Sequence, residues 1–288
     1  MNIGLELPLS EPMVDLASFR ILADGLDHPE GVACGPDGSV WAGGEAGQVY
    51  LVAEDGRVSE IASTGGFLLG LCHDADGTVY ACDNARKAIM RITSNGAVDV
   101  YCVGGRDRPL RTPNYPVFDA DGVLYVSDSG DWDADNGCVW AVDPGGDARI
   151  LSAALTAFPN GLAIDPASEY LYVVLSQAPG VARLPLRGGL PEMVVPLPKL
   201  VPDGIAFDRD GTLYIACYAP DAILTLAPDG ALRLFASDWR RVTLASPTNL
   251  AFCGRERTTL VVGSLCRWHL ASLEVAVPGA SLNYPRII

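Results

Sequence analysis

The sequence predicts an all-β fold, a six-bladed β-propeller whose N-terminal strand closes the last blade. Three observations lead there. One phrase recurs six times along the 288 residues. Its spacing suits a unit of four short strands. No stretch carries the 3.6-residue apolar periodicity of a long amphipathic helix.

The phrase is a Pro in most copies, a variable residue, often Gly, an apolar run, then Asp-Gly or a substitute and a second apolar run. Its copies begin at Pro29-Glu30-Gly31, Leu68-Leu69-Gly70, Pro113-Asn114-Tyr115, Pro159-Asn160-Gly161, Pro202-Asp203-Gly204 and Pro247-Thr248-Asn249. The variable station therefore falls at 30, 69, 114, 160, 203 and 248, in steps of 39, 45, 46, 43 and 45 residues. Asp37-Gly38, Asp76-Gly77, Asp121-Gly122 and Asp210-Gly211 each join two apolar runs, a hairpin signal. The sixth copy reaches a third strand near Trp268–Val275 and then lacks a fourth. The segment Phe19–Ala23 precedes the first copy without a local partner, so it is expected to supply that missing outer strand and hide the exposed edge. Residues 1–288 are read as a single propeller domain, with 1–18 as an N-terminal extension.

Acidic residues outnumber basic ones, 35 to 20, for a net charge of −15. That charge disfavours nucleic acid, whose phosphates need a basic face. No run approaches the roughly 18 apolar residues of a membrane span. Glu6, Glu11 and Asp15, without a basic residue, do not form a signal peptide. The eight cysteines mostly sit in strand patterns and lack CxxC spacing, so they are read as small buried residues of a reducing, cytoplasmic protein, not as disulfides or structural zinc ligands.

The inner strand of each blade borders the central channel, so the six stations form a ring at one mouth. Glu30, Asn114, Asn160 and Asp203 offer oxygen; Leu69 and Thr248 complete the circle. Two carboxylates and two amides suit a hard divalent cation, with Ca²⁺ first and Zn²⁺, Mn²⁺ or Mg²⁺ as alternatives. Three or four such ligands leave positions open for water or substrate. Asn-Gly and Asp-Gly are also ordinary turn dipeptides, but that reading does not account for Glu30 or for Asn114 before Tyr.

The repeat and these residues resemble the regucalcin/gluconolactonase family, also called the senescence-marker-protein family. The clearest stretch is Val201-Pro202-Asp203-Gly204-Ile205 through Tyr218. His28-Pro29-Glu30-Gly31, Phe158-Pro159-Asn160-Gly161-Leu162 and Tyr125–Gly130 with Gly137–Trp140 add to it. The resemblance implies a six-bladed propeller holding one catalytic divalent metal on the residues matching Glu30, Asn160 and Asp203, and an activity on aldonolactones and related esters. It also implies substrate contact by Asn114 and a nearby Arg, and Asp203 as general base. The sequence departs from the pattern where Thr112 stands at the usual arginine position, leaving Arg111 one step further away, and where Pro116 interrupts the inner strand. Both point to a reshaped pocket.

Two readings of Asp203 stay open, general base or ligand only; Arg111 is a substrate contact or a solvated loop arginine. Tyr115 and Trp132 are candidate walls of the mouth. The acidic run Asp128, Asp131, Asp133 and Asp135 misses the EF-hand spacing and is read as a solvated loop. His28 is placed to support Glu30, while His73 and His269 are read as structural. The expected activity is metal-dependent hydrolysis of a small lactone. The alternatives are a metal-dependent esterase or phosphotriesterase, or a metal- or ligand-binding propeller without turnover.

Overall fold

The computed structural model describes residues 11–106 and 108–287. It consists of six four-stranded antiparallel sheets, each built from consecutive strands except the last. The inner strands are Val32–Cys34, Leu68–His73, Pro113–Phe118, Pro159–Ile164, Val201–Phe207 and Pro247–Cys253, so every station lies at or just before the start of one. The last sheet takes Arg20–Asp24 as its outer strand, antiparallel to His269–Glu274, with Arg20 opposite Ser272 and Asp24 opposite His269. The expected closure of the ring by the N-terminal strand is thus present.

The hairpins below the channel follow from local chemistry. Asp74, Asp119 and Asp208 each accept two backbone N–H groups of their own turn, from residues two and four further on. The Gly of the following Asp-Gly sits at φ +78 to +86°, a conformation that side chains with a Cβ resist. The carboxylate thus replaces the hydrogen bonds that the tight turn breaks.

Hydrophobic burial is divided into six clusters, one at each blade–blade interface. The seam between blades six and one is packed like the others, with Val32, Ala42 and Val52 of blade one against Ala251, Val261 and Leu270 of blade six. Residues preceding the closing strand also have partners. Met13 and Val14 donate backbone N–H groups to Leu234 and Phe235 at the outer strand of blade five. The described part of the N-terminal extension therefore lies against the fifth blade.

The C-terminal segment forms a strap under the channel. Pro278, Gly279 and Ala280 bond to Arg209, Arg257 and Phe207, Asn283 donates to the Phe118 carbonyl, and the Tyr284 hydroxyl donates to the Cys34 carbonyl. Above it the lower channel holds a largely apolar cavity of about 190 Å³, walled by the inner strands and floored by Ala280–Tyr284. Six cysteines are buried and Cys72 is partly buried, as the strand pattern implies; Cys266 is exposed.

Leu270 is fully buried at the closing seam. Replacing it with Ala is expected to cost about 2–5 kcal/mol through lost contacts and a residual cavity. Equilibrium urea unfolding checks this: the midpoint should fall with the slope unchanged.

Candidate metal centre

Each ring residue is the second or third residue of an inner strand, except Glu30, which lies two residues before one. Asn114, Asn160 and Asp203 are buried at 7%, 3% and 7% exposure, and Glu30 is partly buried. Asp203 lies close enough to Glu30 for its charge to raise the basicity of Glu30. Burial, then the charge of Asp203 and that of Glu45, pushes the Glu30 carboxyl up to about 8. Burial likewise pushes Asp203 up to about 7, against a lowering contact from the Asn160 side chain. Glu30, Asn160 and Asp203 are therefore brought together at one place.

The two asparagines are oriented by serines. Asn114 Nδ2 donates to Ser129 Oγ at 3.0 Å, and Ser129 Oγ donates to the Pro159 carbonyl at 2.7 Å. Asn160 Nδ2 donates to Ser176 Oγ at 3.2 Å, and Ser176 Oγ donates to the Pro202 carbonyl at 2.7 Å. Each serine follows the second strand of its own blade and ties it to the start of the next. With its amide nitrogen so committed, Asn160 is left with a buried Oδ1 that has no hydrogen-bond partner among the described residues. An orphaned buried carbonyl oxygen is costly. Beside it Asp203 is buried and Glu30 partly so, and burial makes both carboxyls costly to ionise without a counter-charge. A hard divalent cation answers both demands, and the all-oxygen donor set fits Ca²⁺ or Mg²⁺ chemistry. Glu30, Asn160 and Asp203, with Asn114 beside them, are the residues that would hold it.

The other ring stations serve different ends. Leu69 is an apolar member, 8% exposed. Thr248 Oγ1 and Asn249 Nδ2 both donate to the Glu30 carbonyl, fixing the backbone of that residue. Asn249, one residue past the station, also keeps a buried unpartnered Oδ1.

Arg111 does not turn toward the axis. Its Nη1 pairs with Asp131 at 2.6 Å on an exposed rim, and Asp131 is held in turn by Asn136. Asp128 is buried and bound by the N–H groups of Arg111 and Thr112 and by the Trp140 indole, so it fastens the loop leading to Asn114. Trp132 stands at the mouth, 43% exposed, its ring 4.6 Å from that of Phe158. Tyr115 differs from its expected place. It lines the lower cavity, its ring pressed on Gly70, where a Cβ would stand 2.5 Å from the tyrosine Cδ2. Pro113-Asn114-Tyr115 puts a large side chain at a position that is Gly in four other copies, and the facing glycine makes room for it.

Sequence reading passed over Tyr218, whose hydroxyl is pushed up to about 12 by burial and by the charges of Asp203 and Glu30. It also passed over the rim group of Asp27, His28 and Glu45, whose ligand-type atoms lie within 4.8 Å of one another. His28 Nδ1 is 3.1 Å from Asp27 and 3.5 Å from Glu45. Ser129 and Ser176 share one place in the repeat, immediately after the second strand, and that shared place was the available signal.

Residues 48–265 match the SMP-30/Gluconolactonase/LRE-like region. The chain belongs to this family. A match to the strictosidine synthase-like N-terminal region covers residues 14–58. The protein Strictosidine synthase-like 6 of Arabidopsis thaliana is 24% identical over 220 residues, 70% of this chain; the chain spans 58% of that relative's length. Among solved structures, a gluconolactonase of Xanthomonas campestris superposes with TM-score 0.77 at 21% identity, covering 90% of this chain and 89% of the other. A calcium-binding protein, regucalcin, of Agrobacterium tumefaciens gives TM-score 0.77 at 18% identity, covering 93% and 97%. At these identities the superpositions show the fold, and the propeller is common to all three.

Ser176→Ala removes the group that turns the Asn160 oxygen inward. It is expected to weaken divalent-metal binding by roughly 10- to 100-fold, the usual effect of losing a ligand's support, measured by calorimetry on protein freed of metal. The two raised carboxyls predict a pH effect of definite sign. Their folded values exceed the ordinary values of 4.5 and 3.8, so the metal-free fold binds more protons than the unfolded chain. Its stability should fall as pH rises from about 4 to about 8, and the stabilisation by added metal should grow over the same window. Thermal melts with EDTA and with Ca²⁺ across that range check this.

Proposed function

We propose that the chain is a divalent-metal-dependent hydrolase that opens a small lactone. The observation that carries this is the pair of carboxylates with raised proton affinity, Glu30 and Asp203, set beside the partnerless Asn160 oxygen on the propeller axis. Membership of a family that includes gluconolactonases supports the choice of bond. A cation held there would polarise the substrate carbonyl and make a water more acidic.

The protein's own groups account for the proton. Asp203 takes a proton from the attacking water on a carboxylate oxygen. The water oxygen bonds to the carbonyl carbon, the ring C–O bond breaks, and the proton passes from Asp203 to the departing alkoxide. Tyr218 remains protonated and offers a neutral donor beside the same carboxylates. The serine-held amides of Asn114 and Asn160 stay fixed through the cycle, so the charge developing on the carbonyl meets groups already oriented. The substrate is a small molecule; the propeller needs no macromolecular partner for this chemistry.

EDTA should abolish acid release from lactones, and Ca²⁺, Mn²⁺, Mg²⁺ or Zn²⁺ should restore it. Asp203→Asn should lower kcat by roughly 10²- to 10⁴-fold, the range for a general base. A pH-stat assay with metal-loaded protein reads both. Full activity in that variant removes Asp203 from the role of base. Saturable metal binding without turnover across lactones, esters and phosphotriesters assigns the protein to binding instead.

A further inference from the structure

The lower channel is a chamber of its own, set at the far ends of the inner strands from the ring of stations. Its volume is about 190 Å³, and Tyr115, Phe118, Phe207, Phe252 and Tyr284 give its lining an aromatic character. A cavity of about 150 Å³ already accepts a benzene ring, so this one has room for a ring with a substituent. Among the described residues no lysine or arginine lines it, and an anion would find no counter-charge there.

Several polar members of the lining are occupied. Asn283 donates to the Phe118 carbonyl, and the Tyr284 hydroxyl donates to the Cys34 carbonyl. One oxygen of Asp165 accepts from the N–H groups of Glu169 and Tyr170. His73 is different. It ends the inner strand of blade two, lines the chamber and is 2% exposed, with its ring 5.1 Å from that of Trp41. Both ring nitrogens are buried, and neither has a hydrogen-bond partner among the described residues. The Gly77 backbone lies near the ring but outside hydrogen-bond geometry. Burial brings the imidazole down to about 4, against the opposing pull of Gly77 and of the Asp37 charge, so the ring is neutral near pH 7.

A neutral imidazole presents one N–H and one bare nitrogen. Leaving both without a partner in an apolar wall is costly. A hydroxyl can donate to the bare nitrogen or accept from the N–H, while a ring attached to it packs on the aromatic lining. We propose that the lower chamber is a second binding site, which takes a small, uncharged cyclic molecule whose hydroxyl group hydrogen-bonds to His73. The site shares no residue with Glu30, Asn160 and Asp203, and it stands whether or not the upper centre opens lactones.

Phenol and toluene are the probes, alike in size and different in the hydroxyl, and calorimetry on the full, Ca²⁺-loaded chain reads the binding of each. A wholly apolar cavity rejects phenol, which must shed water from its hydroxyl; here phenol should bind at least as tightly as toluene. His73→Phe should weaken phenol binding by roughly three- to tenfold, the worth of one neutral hydrogen bond, and leave toluene nearly unchanged. His73→Gln, which keeps a donor and an acceptor, should retain phenol. Crystals soaked in 4-bromophenol should place the bromine inside the lower channel. Any of four results would overturn the proposal: no phenol binding, weaker binding of phenol than of toluene by the unsubstituted chain, equal phenol binding in His73→Phe, or bromine found only outside the chamber.

Discussion

Closure of the ring is the constraint on which the rest depends. Six sheets can share one axis only if the last finds a fourth strand, and the antiparallel pairing of Arg20–Asp24 with His269–Glu274 provides it. That pairing turns a linear array into a circle. It brings blade one, with Glu30, against blade six, with Thr248 and Asn249, across more than 200 residues of chain. Glu30 is then fixed by two hydrogen bonds to its carbonyl from the far end of the sequence. Without the seam, the acidic pair could relieve its mutual repulsion by separating; with it, the repulsion is retained as a demand for a cation.

The site is symmetric in origin and asymmetric in chemistry. Every blade begins its inner strand at the same height, but only some stations carry oxygen, and two of these are turned inward by a serine of their own blade. The serine also bonds the next blade's proline carbonyl, so ligand orientation and blade-to-blade packing share one hydrogen-bonded link. A substitution at such a serine acts on both. Binding studies and unfolding studies on one variant would report the two consequences separately.

Much of the fold could be read from the sequence because its signal is repeated. Six stations, hairpin turns marked by Asp-Gly and an unpaired N-terminal strand are local patterns that a symmetric fold multiplies. The grouping of Glu30, Asn160 and Asp203 followed from the same symmetry. What stayed hidden depends on direction and competition. Arg111 is near the mouth in sequence, but Asp131 holds it at the rim. Tyr115 adjoins a ring residue, yet strand alternation and the space over Gly70 send it into the lower channel. Tyr218 stands at the end of a second strand, and the irregular antiparallel register there, with Val201 opposite Ala219 and Pro202 opposite Cys217, sets it beside Asp203. The role of the C-terminal strap was equally invisible, since irregular backbone carries no period.

That strap gives the molecule a mechanical property distinct from its chemistry. Between Pro278 and Pro285 it bonds first to blades five and six, then to three, one and two. A force applied to the C-terminal end meets these bonds one after another, as in a zipper, before it can load the sheets side by side. The strap thus acts as a sacrificial lacing beneath the ring. It spans the closing seam from below, so blades six and one stay tethered through a second path even while the outer strand frays.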